Sequence, residues 1–220
     1  MQSDPLEAVL IVPQAHTRIF DYPFQEELYD VFHQGWLARL GHFFSTPVIL
    51  LGCMVLGQSL FSFGGPLVGL GVVGLNLGAH RLLGALVLLP TLALCALSYW
   101  ISAQLGVVGP AVGLAMMFLA SCTQALSHLG EEVPPPWSGS ERWAPVSRVF
   151  GEASREKHIA LFLLGTGSIL LEFWASFRVF GLQMYRLGLH LGWRPGEWQR
   201  LQRRRAEILD NYRSCWPVSS

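Results

Sequence analysis

The chain has 220 residues, 51% hydrophobic and only 14% charged, and its 15 basic and 15 acidic side chains cancel. Soluble domains carry about 25% charged residues, so this composition excludes an ordinary soluble fold. Zero net charge also leaves no electrostatic footprint for nucleic acid.

From Leu40 to Gly130 the only charged side chain is Arg81, where average usage would place roughly twenty. With a mean hydropathy of +0.39, an integral membrane protein is expected. Met1 to Leu40 opens on acidic and polar residues, with no basic stretch leading into an apolar core, so no cleavable signal peptide is expected.

The first apolar run, Phe43 to Phe61, is long enough to cross about 30 Å of hydrocarbon at about 1.5 Å per residue. Ser62 to Pro66 reads as a Gly-rich turn. The second run, Leu67 to Ala79, is short and glycine-rich, so it packs among other helices or spans a thinned region. The third, Leu82 to Ile101, closes on Tyr99 and Trp100, an interfacial aromatic signature. The fourth, Leu105 to Gln124, holds small residues that favour close helix packing.

If the short second run crosses, these runs return the chain to the side where it began. His33, His42, His80 and His128 then share one membrane face. Gly130 to His158 is Pro-rich and carries Arg142, Arg148, Arg155 and Lys157, whereas the loops on the other side hold no Lys or Arg. Positive-inside bias therefore puts this segment and the N-terminus in the cytoplasm.

A fifth apolar run, Ile159 to Phe177, holds Glu172, which needs a partner or a wet cavity in such a setting. From Arg178 onward the chain carries eight arginines. Residues Phe177 to Trp193 read as a further partial crossing or an interfacial helix that restores the cytoplasmic side. The basic tail reads as a solvated or headgroup-facing helix. Cys53, Cys95, Cys122 and Cys215 show no metal-like or redox spacing and read as small hydrophobes.

Two clusters carry candidate chemistry. His33 and His42 bracket the start of the first run, and imidazoles converge on one first-row metal ion if a turn brings His33 back. Interfacial histidines that only hydrogen-bond locally are the plain alternative.

In the second cluster, Gln124, His128 and Glu132 stand four apart, so on a helix they form one polar stripe leaving an apolar run. Pro134, Pro135 and Pro136 end that helix. The plain alternative here is a cap and turn with solvated Glu131 and Glu132. Two histidines and a carboxylate at one face suit Fe(II), Mn(II) or Zn(II). The motifs H-E-x-x-H, G-x-S-x-G and the P-loop are all absent.

At these residues the chain resembles the small multi-spanning Mpo-like dioxygenases, which shorten 2-hydroxy fatty acids by one carbon in alpha-oxidation. The resemblance lies in Tyr29 to Leu51, where His33, His42 and Ser45-Thr46-Pro47 occupy the family's first motif. It continues in Gln124 to Pro136, where Gln124, His128, Glu132 and Pro136 match the second motif at every spacing. A further echo falls at Leu171-Glu172-Phe173-Trp174. Ala38 stands where the family usually has Asn, and Trp137 where it has Ala.

The resemblance implies an Fe(II) dioxygenase that takes O2 and an amphiphilic hydroxylated lipid. It implies His33, His42 and His128 as metal ligands, with Glu132 as the carboxylate ligand or as a partner orienting a histidine. Gln124 is implied as an outer hydrogen-bonding residue. From the expected crossings, His80 lies at the same face, able to replace one ligand or else an interfacial side chain beside Arg81.

The expected fold is all-α, a polytopic transmembrane bundle of four or more membrane helices with a metal site at the cytoplasmic face. Residues 1–193 form the bundle and 194–220 a basic amphipathic tail. The host is a bacterial inner membrane or the endoplasmic reticulum. The alternatives are a metal-dependent oxygenase or cyclase acting on another amphiphile, and a non-catalytic membrane scaffold.

Overall fold

The structure, a computed structural model, describes residues 33–127 and 176–215 together with Glu26 and Tyr29. Among these residues the regular structure is entirely helical, as the apolar runs predict.

Helix α1, Trp36–Leu60, starts seven residues before the first apolar run. Hydropathy marks only the stretch that suits lipid, whereas the helix continues through Arg39 and His42 until Gly35 ends it with extended backbone. Helix α2, Gly64–Ala79, absorbs part of the expected turn. Pro66 is its third residue, where the missing N–H has no intrahelical partner to lose.

Helix α3, Arg81–Leu105, and helix α4, Gly109–Ser127, are separated by the 3-10 turn Gly106–Val108. Gly106 has φ 51° there, a left-handed conformation that suits glycine.

The helices pack through small residues, which let their backbones approach closely. Gly52 of α1 faces Gly113 of α4, and a Cβ added to either lies 2.8 Å from the other's carbonyl oxygen. Gly41 faces Ser127 at one end of this pair and Ser59 faces Gly109 at the other, so α1 and α4 are antiparallel. Gly57 lies against Gly64 at the α1–α2 turn, and Gly84 lies against Leu77 at the α2–α3 turn. Trp36, Ala79, Arg81 and Ser127 therefore stand at one end of an up-down-up-down arrangement.

Residues 176–190 form α5, which runs back toward that same end. Phe180 joins Leu50, Val72 and Val87 in one core cluster, while Tyr185 and Leu189 join Leu83 and Leu201 in another. Asn76 of α2 anchors α5 by donating to Phe177 O at 2.7 Å and to Val72 O at 2.8 Å. Gly181 lets the α5 backbone rest on the Asn76 carboxamide. Residues 176–190 thus pack against α1, α2 and α3.

Helix α6, Pro195–Cys215, was expected to be solvated or headgroup-facing. Its Leu201 is buried against Leu83, Tyr185 and Leu189, while Arg203 and Arg204 remain exposed. The apolar side chain accounts for the docking, because charge alone gives a helix no reason to leave water.

Two stretches, Trp36–Leu60 and Arg81–Gln124, are long and apolar enough to cross a membrane. The second, of 44 residues, is the one divided by the 3-10 turn.

The α1–α4 contact generates a prediction. Gly113→Ile, which forces side-chain carbon into the Gly52 backbone, is expected to cost about 1–3 kcal/mol, read as a lowered thermal midpoint in detergent. Gly74→Ala is the control, because a Cβ there meets nothing within 4 Å. Equal behaviour of the two variants would overturn this account of the packing.

Candidate functional site

His33 precedes α1 and His42 lies in its second turn. A spacing of nine is no helical repeat, so only a reversal of the chain brings the two rings together. Gln34 and Gly35 make that reversal, and Arg39 holds it by donating from Nε to His33 O at 2.8 Å. The ring centroids of His33 and His42 then lie 4.2 Å apart, edge to face at 87°. Both side chains are buried, at 6% and 8% exposure.

His33 is pinned from its other side. Its Nδ1 lies 2.6 Å from Tyr29 O, and Tyr29 stacks on the imidazole at 3.9 Å with the planes 14° apart. With Nδ1 donating to that carbonyl, the neutral ring carries its lone pair on Nε2, the tautomer a metal ligand needs.

One turn beyond His42, Thr46 is fully buried and its hydroxyl accepts two hydrogen bonds. Gln124 of α4 donates at 3.0 Å and Gln183 of α5 donates at 3.2 Å. The two motifs far apart in sequence thus meet: Thr46 belongs to the first and Gln124 to the second. Beside them Gly41 admits Ser127, the last residue of α4. His128 and Glu132 follow directly in the chain and, like Glu172, lie outside the described residues.

Among the described residues, no three His, Cys, Asp or Glu side chains gather as a metal set. The His33–His42 pair supplies two nitrogen donors of the kind that Fe(II), Mn(II) or Zn(II) accept, which fits an implied iron. His80 is exposed and caps α3, its Nδ1 accepting from Leu82 N at 3.2 Å. Ala38 is fully buried one turn before His42.

Several residues of the site were not expected from sequence. Tyr29, Gln183 and Arg186 line its other side, and the Arg186 guanidinium carbon sits 5.0 Å from the Tyr29 ring centroid. The available signal was a Gln and an Arg three apart in an apolar segment, where polar groups are costly unless used.

Helix α6 covers this end of the bundle. Arg205 donates to Gln34 O at 2.8 Å, and Arg200 lies 3.8 Å from the buried Glu26. Both contacts hold the segment that carries Tyr29 and His33. Burial pushes the Glu197 carboxyl up, but hydrogen bonds from Tyr185 and Arg194 and the charges of Arg200 and Arg194 leave it below its ordinary value.

Comparisons with family models, with curated proteins and with solved structures give no match.

Two predictions follow from this geometry. Thr46→Val keeps the shape but removes the acceptor shared by Gln124 and Gln183, at an expected cost of about 1–3 kcal/mol, whereas Thr46→Ser retains it. Thermal unfolding in detergent checks this, and equal midpoints for the two variants would refute the role of the hydroxyl.

The second concerns His190, whose ring stacks on Trp198 at 4.3 Å. Burial first, then the charges of Arg39 and Arg186, hold its imidazole below the ordinary 6.5. The unfolded chain then binds the proton more readily, so this contribution is full above 6.5 and falls as pH drops toward the lower folded value. His190→Gln is expected to flatten the acid limb of stability against pH. An unchanged slope would count against that assignment.

Proposed function

We propose that this protein is an Fe(II)-dependent dioxygenase of the membrane that shortens a 2-hydroxy fatty acid, or a related hydroxylated lipid, by one carbon. The observation that carries the reading is the buried His33–His42 contact, with His33 Nδ1 held by Tyr29 O. A motif match in sequence has no need to bring these rings together, whereas a metal site does. The second support is the Gln124–Thr46 hydrogen bond, which draws the two motifs of the resemblance to one place.

The metal set in this reading is His33, His42 and His128, with Glu132 as carboxylate ligand or as the partner orienting a histidine. Gln124 acts from outside that set by fixing Thr46 and, through it, the turn of α1 that follows His42. Bound iron would supply a site for O2 and for chelation of the hydroxyl and carboxyl oxygens of the acid.

The reaction balances with O2 as oxidant. The C1–C2 bond of the 2-hydroxy acid breaks, C1 leaves as CO2, C2 becomes the carboxyl carbon of the shorter acid, and one water forms. Four electrons pass to O2. The chain's own part is to hold the imidazoles, exclude water through Tyr29 and α6, and admit the acyl chain from the lipid side.

The membrane placement in this proposal has α1 to α4 as four crossings, with the site and the N-terminus at the cytoplasmic face. Its support is the outer surface of the bundle, where Phe44, Leu70, Leu89, Leu92, Phe118 and Leu119 are exposed. Soluble monomers rarely leave large apolar patches bare.

Detergent-purified protein loaded anaerobically with Fe(II) is expected to retain iron. On addition of O2 it should convert 2-hydroxypalmitate to the acid one carbon shorter, and His42→Ala should lose both properties. Iron retention without the shorter acid would remove the substrate assignment, and no iron retention in the wild type would remove the enzyme reading.

A further inference from the structure

The reversal that folds His33 back onto His42 is held by arginines at two consecutive carbonyls. Arg39 donates from Nε to His33 O at 2.8 Å, and Arg205 donates from Nη2 to Gln34 O at 2.8 Å. Arg39 stands within α1, so its reach is local. Arg205 comes from α6, 171 positions further along the chain, and its bond exists only while α6 is docked. Gly35, the next residue of the reversal, starts α1 from extended backbone without a side-chain cap. Glycine loses more conformational freedom on ordering than any other residue, so the carbonyls beside it gain most from being tied.

The docking of α6 is built into the corner that precedes it. Gly192, at φ 87°, closes α5: its own N–H donates to Leu189 O at 3.1 Å and that of Trp193 to Gly188 O at 3.0 Å, the paired bonds of a glycine helix stop. Arg194 follows at φ 54°, a left-handed conformation that is costly for a residue with a side chain. Its carbonyl accepts from Glu197 N and Trp198 N, and its guanidinium meets the Trp193 ring at 5.0 Å and the Glu197 carboxylate at 3.4 Å. Strain of this kind persists only where the surroundings overdetermine it. The corner therefore aims α6 in one direction, across the end of the bundle where Leu201 and Trp198 pack against Leu83, Tyr185 and Leu189.

Arg200 lies 3.8 Å from the buried Glu26 and 3.5 Å from Glu197, so its charge is spread over two carboxylates, whereas Arg205 bonds the reversal itself. We propose that Arg205 is a positioning residue: from α6 it fixes Gln34 O and so keeps the His33 ring on the His42 ring. Helix α6 is in this way part of the histidine site. The consequence for metal rests on the dioxygenase reading: two imidazoles already held in contact lose less freedom when an ion takes them, so the docked helix tightens the site.

Hydrogen exchange on the metal-free full chain in detergent, followed by mass spectrometry, tests the geometry. Arg205→Met, which keeps a long side chain and removes the donor, is expected to speed exchange in residues 33–42 by about tenfold, the worth of one hydrogen bond, and to leave α4 at the wild-type rate. Arg205→Lys, which can still donate to Gln34 O, should restore part of the protection, and it carries the test if Arg205→Met does not fold. Arg203→Met, on the exposed side of the same helix, is the control and should match the wild type. Anaerobic titration with Co(II), read by its visible absorption, then measures metal affinity, with a fall of about tenfold expected in Arg205→Met and loss of binding in His42→Ala.

Unchanged exchange at residues 33–42 in Arg205→Met would overturn the proposal, and so would equal acceleration there and in α4, the mark of a merely structural role. Wild-type Co(II) affinity in a variant whose residues 33–42 exchange faster would overturn it as well. Selective loss of protection in Arg205→Met, with no Co(II) bound by the wild type, would instead defeat the metal reading and leave Arg205 as the residue that holds the pair.

Discussion

The hydroxyl of Thr46 is the point on which the described structure depends. It sits fully buried in α1 and receives hydrogen bonds from Gln124 of α4 and Gln183 of α5. A threonine oxygen has two lone pairs, and both are engaged here. In a low-dielectric interior each such bond is strong, and each loss leaves a buried amide without its partner. One side chain thus fixes the relative height of three helices at the level of the histidine pair. Small residues do the complementary work: Gly52, Gly113, Gly41 and Gly181 bring the backbones close enough for those bonds to form.

The rest of the polar interior is built outward from that point. His33 folds back onto His42 under Tyr29, and Arg186 closes the stack from α5. Asn76 ties the far part of α5 to α2. Helix α6 then covers the assembly, Leu201 supplying the apolar contact and Arg200 and Arg205 reaching Glu26 and Gln34. Polar side chains are costly to bury unless partnered, and His33, His42, Thr46, Gln124, Gln183 and Arg186 are all buried near one end of the bundle.

Much of the framework was legible in the chain. The four apolar runs between Phe43 and Gln124 correspond to α1 through α4 within a few residues, because a segment without charge has little choice but a helix that satisfies its own backbone. The early start of α1 was hidden, since Arg39 and His42 interrupt hydropathy without interrupting the helix. Gln124 is singled out by its spacing to His128 and Glu132, and His33 and His42 by bracketing the start of the first run; the structure brings Thr46 to Gln124 and the two rings to each other. Gln183, Arg186 and Tyr29 were not found. Their place in the site depends on how α5 packs between α1, α2 and α3, and no periodicity within residues 176–190 encodes which neighbours surround them. The docking of α6 is hidden for the same reason: a tail with six arginines from Arg194 to Arg213 reads as a solvated helix until Leu201 is seen to have a partner.

The sequence by itself determined the helical class and the runs that form the bundle, and it offered His33, His42 and Gln124 as candidate groups, because all of these follow from local composition and position. Tertiary structure decided which of those groups touch. His33 reaches His42 only through a chain reversal held by Arg39, Gln124 reaches Thr46 only because glycines let α1 and α4 approach, and Arg186 reaches Tyr29 only because α5 returns to the same end. Contacts between residues distant in the chain are set by the fit of helix surfaces, a property of the assembled bundle and not of any one segment.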